Sequence, residues 1–74
     1  MEKKMEAKVR NLKSDLDMFM ELQREWVDKL ARCANEALVD VDRLKSIMAE
    51  VERYDTLMLV CSNKIDVIEQ LLEA

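Results

Sequence analysis

LARCANEALVDVDRLKSIMAEVERY, residues 30–54, places Leu30, Cys33, Ala37, Leu44, Ile47, Val51 and Tyr54 at alternating steps of three and four, with Asp40 filling the one gap. Passage through Asp40 without a shift of frame decides the fold expected from the sequence. A turn would usually reset the repeat, so an unbroken frame predicts an unbroken helix. The same spacing runs outward in both directions. Toward the N-terminus it takes in Trp26, Gln23, Phe19, Leu16, Leu12, Val9 and Met5, and toward the C-terminus Met58, Cys61, Ile65, Ile68 and Leu72. With Val9 at a and Met5 at d, the opposite f positions (Ala7, Ser14, Glu21, Asp28, Asn35, Asp42, Ala49, Thr56, Asn63 and Gln70) hold no apolar residue larger than alanine. A seam and an opposite polar stripe in one frame define a heptad repeat. The expected fold is all-α: one long heptad helix, roughly 105 Å at ~1.5 Å per residue, joined to other chains as a coiled coil. The alternative is a helical hairpin in a bundle, with a break near Tyr54-Asp55-Thr56 or Cys61-Ser62-Asn63, where Asp55 or Ser62 would cap a second helix.

Composition agrees with a long helix. The chain has no Gly and no Pro, and 38% of its residues are charged. Without those two residues the tight turns of a many-element fold are hard to make. Residues 1–74 are therefore expected to be one coiled-coil oligomerisation segment of a larger protein. Net charge is -4, and all of the excess lies in residues 38–74. Lys3, Lys4, Lys8, Arg10 and Lys13 make only a short basic end, offset by Glu2 and Glu6. No nucleic-acid partner is expected from so small a footprint. Two cysteines and no histidine give neither a disulfide framework nor metal-ligand spacing, so no metal or cofactor is expected. The longest apolar run, Leu57 to Cys61, is far too short to span a membrane. The carboxylates Asp15, Asp17, Asp40 and Asp42 have no pocket or nucleophile on a straight helix, and no enzymatic activity is expected.

The flanks of the seam predict how many helices meet. Met20, Val27, Ala34, Val41 and Met48 occupy successive e positions, with Ala31 and Leu38 beside them at b. Beyond Leu57 the extra apolar residues change side, to Leu57 and Leu71 at g and Val60 and Val67 at c, with Leu59 at b. In a parallel dimer Lys8 would face Lys13 and Glu50 would face Asp55, both repulsive, while Leu22 would face Val27 half exposed. An arc this wide suits more than two chains, and a tetramer built as a dimer of dimers is expected. The expected interface comprises the seam residues from Leu12 to Leu72 other than Gln23 and Ala37, with Met20, Leu22, Val27, Leu38, Val41, Met48 and Leu57. Asp40 at d reads as a register device or a wet layer, neutralised by Arg43, so that Asp40→Leu should raise thermal stability. Gln23 at a reads as a tolerated polar layer or as a register device that hydrogen-bonds its mate across the seam. The rings Phe19, Trp26 and Tyr54 fill the core, and Cys33 and Cys61 read as small buried apolar residues, which in a parallel, in-register dimer would also approach their mates.

The function expected on this basis is structural. The chain would be a leucine-zipper-like self-assembly module of a larger intracellular scaffold, cytoplasmic and in a cytoskeletal or centrosomal setting. The alternative is one helix of a heteromeric bundle that binds another helical protein, as in a tethering or membrane-fusion complex.

Overall fold

The computed structural model describes residues 2–73, so both ends of the expected 1–74 segment lie outside the described residues. It is all-helical, with two helices in place of one: α1, Glu2–Ala34, and α2, Val41–Glu73. They lie side by side and antiparallel. Leu12 sits opposite Cys61, Phe19 opposite Tyr54 and Gln23 opposite Val51. The hairpin measures 56 × 14 × 13 Å, about half the length of the expected continuous helix. The hairpin alternative is the form the chain takes, but its turn lies at residues 35–40 and not near Tyr54 or Cys61.

Local hydrogen bonding explains why the chain turns there. At the end of α1, the Asn35 N–H donates to both Ala31 O (3.1 Å) and Arg32 O (3.2 Å), and the Glu36 N–H donates to Cys33 O (3.4 Å). The last turn tightens in this way and satisfies carbonyls that would otherwise be left open. Arg32, a cation in that turn, also donates from Nε to Asp28 O. No described residue has positive φ, so α1 ends without the left-handed cap that glycine usually supplies. At the start of α2, Asp40 accepts from the Arg43 N–H through Oδ1 (3.1 Å), while its own carbonyl takes the first helical bond from Leu44 (2.9 Å). Asp40 is an N-cap, with Asp42 adding a favourable charge in the first turn.

This corrects the sequence reading of Asp40. It is exposed, not a layer in a seam, and it meets the backbone of Arg43, whose side chain instead reaches Glu36 across the turn (3.7 Å). Loss of the cap should cost about 1 kcal/mol. Asp40→Ala is expected to lower the urea midpoint accordingly, with Asp40→Asn close to the parent. A gain in stability for either would contradict the capping role.

The two halves of the heptad seam face one another. Val9, Leu12, Cys61 and Ile65 form a buried cluster far from the turn, with Leu16, Ile68 and Leu72 packed against it. The buried thiol of Cys61 donates to Leu12 O (3.0 Å). Nearer the middle, the rings of Phe19 and Tyr54 pack tilted at 45° with centroids 6.3 Å apart, within the range of favourable aromatic pairs. Gln23 bonds not to a mate on another chain but to Val51 O (3.1 Å) and the Asp55 carboxylate of α2. Pairing within one chain avoids the translational and rotational cost of bringing two chains together, and this favours the hairpin.

Candidate functional site

Antiparallel pairing decides which flank residues share a side. In such a pair the e positions of both helices lie along one edge of the seam and the g positions along the other. The ion pair between Lys13 and Glu69, both at e, marks the first edge (3.5 Å). The apolar flanks of the two helices therefore divide between two sides.

The e side carries Met20 and Val27 from α1 with Val41 and Met48 from α2, all exposed in the half of the hairpin nearer the turn. Met20, Gln23, Arg24, Val27 and Met58 line a shallow cleft on this side. Leu38, at the tip of the turn, is 89% exposed, which leaves its whole side chain without packing in the isolated hairpin. Leu59, also exposed, continues the side along α2.

The g side is apolar in the other half. A groove lined by Lys8, Leu12, Val60, Asn63, Lys64, Val67 and Ile68 lies between the helices near their free ends. Leu57, Phe19 and Asp15 border its inner continuation. Toward the turn the same side becomes polar, where Trp26 borders a cleft with Lys29, Arg43 and Glu50. The Lys29 ammonium sits 4.3 Å above the indole ring, close enough for a cation–π contact.

Of the residues expected at an interface, the hairpin itself buries Leu12, Cys33, Ile47, Tyr54, Cys61 and Ile65. It half-buries Leu16, Phe19, Leu22, Trp26, Leu30, Leu44, Val51, Leu57, Met58, Ile68 and Leu72. Met20, Val27, Leu38, Asp40, Val41 and Met48 stay exposed. Cys33 lies beside the turn and Cys61 opposite Leu12, so the two thiols are separated by roughly 30 Å along the hairpin. Both are free and buried. Val60, Val67 and Leu71 are exposed apolar residues that the expected interface omitted. Their signal was their position at c and g, beside the seam and on one side of it.

Among the described residues, no group of three or more His, Cys, Asp or Glu side chains is placed to hold a metal ion. No described helix is long and apolar enough to cross a membrane. No known protein family matches the chain, and no curated protein or solved structure matches it either.

Proposed function

We propose that the chain is a structural self-assembly module in which two hairpins dock through their e sides to form a four-helix bundle. The observation that carries this reading is the surface left open. The hairpin exposes 5905 Å². A compact monomer of its 8.7 kDa mass would expose roughly 4,700 Å². The excess is of the order that a standard protein–protein interface removes, about 800 Å² from each partner. A pair of helices has no second layer, so Leu16, Leu30 and Leu44 remain only half-buried in the seam.

The e side also complements itself. Along α2 it reads Val41, Lys45, Met48, Glu52, Asp55 and Leu59. Laid antiparallel on a second copy, this strip sets Val41 against Leu59 and Lys45 against Asp55, an apolar pair and a charge pair repeated by the two-fold axis, while Met48 falls beside Glu52, so the match is partial. The four-helix cross-section expected from the wide stripe is then reached with two chains rather than four. Within a larger scaffold such a module would join two copies of the parent protein. No residue in the hairpin speaks for a cytoskeletal or centrosomal setting.

Sedimentation equilibrium should give twice the chain mass at micromolar concentration and above. The paired substitutions Val27→Glu and Met48→Glu should return the mass to one chain with helicity kept, because both side chains are exposed in the hairpin. A parent protein with the mass of one chain up to millimolar concentration would overturn the reading.

A further inference from the structure

The groove on the g side is distinct from the self-docking side and has a different character. Its floor is apolar: Leu12 and Ile68 from the seam, and Val60 and Val67, which are 46% and 57% exposed. Its two walls each carry a lysine, Lys8 from α1 and Lys64 from α2. Lys4, one turn before Lys8 at the neighbouring c position, extends the same edge. Among the described residues neither Lys8 nor Lys64 has an ion-pair partner, whereas Lys13, on the other side of α1, is paired with Glu69. Asp15 borders the adjoining cleft and ends the positive stretch. A chain of net charge -4 thus keeps one apolar groove rimmed by unpaired positive charge.

We propose that this groove receives a helix of another protein, one whose apolar stripe is flanked by acidic residues. Two antiparallel helices present a groove along their length, and a third helix fills it with side chains at i, i+3, i+4 and i+7. The apolar floor takes that stripe. Lys8 and Lys64 then meet carboxylates on either flank of the incoming helix, which fixes its position and discriminates against helices with basic flanks. The apolar strip is narrow, bounded by one helix and one lysine on each side, and that width matches the single stripe of one inserted helix.

The test uses a helical peptide of about three heptads with leucine at a and d and glutamate at e and g, and a second peptide with lysine in place of the glutamates. Amide shifts of Val60 and Val67 report occupation of the groove. The acidic peptide is expected to shift them and to bind about tenfold more tightly than the basic one. The double variant Lys8→Glu/Lys64→Glu, whose altered side chains are exposed, is expected to keep its helicity and to invert that preference. Equal binding of both peptides, shifts at Met20 and Val27 in place of Val60 and Val67, or no binding of the acidic peptide at about 1 mM would each overturn the proposal. So would a fall in the protein's own mass in the double variant, which would make a second copy the occupant. Lysine-dependent binding to phosphatidylserine vesicles with no binding of the acidic peptide would overturn it in favour of a membrane surface.

Discussion

Leu12→Ala is expected to destabilise the hairpin by about 3 kcal/mol, the middle of the range for truncating a buried leucine. Leu12 is 8% exposed and stands at the centre of the cluster with Val9, Cys61 and Ile65. Its carbonyl also receives the Cys61 thiol, so the backbone of α1 is held at the level where the side chain would be lost. A two-helix structure has little reserve. At the usual ~0.05–0.15 kcal/mol per residue, a chain of this length is stable by about 4–11 kcal/mol, and the loss could take most of the lower figure. The urea midpoint followed by circular dichroism should fall by about 3 M, given a slope of about 1 kcal/mol per M for a small domain. A change of less than about 0.5 M would mean that the free ends of the hairpin are not packed as described.

The second large effect concerns the turn. Asn35→Ala, Leu38→Lys and Asp40→Leu together are expected to convert the hairpin into one straight helix. Asp40→Leu removes the N-cap and restores an apolar residue to the d position, Asn35→Ala raises helix propensity in the connection, and Leu38→Lys keeps it while removing an exposed apolar side chain. Nothing else need change, because the heptad frame already runs through residues 35–40. Small-angle scattering should show the maximum dimension rising from that of docked hairpins, each 56 Å long, to roughly 110 Å. The mass should correspond to two or more chains, since a lone straight helix cannot bury its seam. An unchanged maximum dimension would show that the turn is fixed by something other than its caps.

The same residues show how much of this fold could be read in the sequence. The seam was legible: every a and d residue from Met5 to Leu72, apart from Ala37 and Asp40, is at least half-buried in the hairpin. Periodicity identifies the face of a helix that is buried. It does not say whether that face meets another chain or the second half of its own. The turn was hidden because the connection happens to keep the heptad count, so Ala37 and Asp40 fall in frame while pointing to solvent. What could have marked it was local chemistry. Arg32 and Asn35 suit a helix end, and Asp40 followed by Asp42, with Val39 before and Leu44 after, suits a capped helix start. Those signals were weaker than the repeat that runs across them.

The apolar flanks are legible in the sequence, but how they combine depends on the turn. Met20, Val27, Val41 and Met48 follow one another along a straight helix, whereas folding back brings the first two alongside the second two on one side. The groove at Lys8 and Lys64 does not exist until the helices pair, since its walls come from residues more than fifty positions apart. No one-dimensional pattern in this chain could have revealed it.

The unbroken frame through the turn has a consequence for how copies of this chain can combine. Two molecules that trade their second helices would bury the same seam, residue for residue, as two closed hairpins do. The free-energy difference between closed and domain-swapped forms then resides almost wholly in residues 35–40 and in the chain concentration. Small changes at Asp40 or Glu36, or simple crowding of molecules on a common support, would suffice to move the population between them. The connection acts as a hinge whose stiffness sets whether neighbouring molecules remain separate or become interlinked.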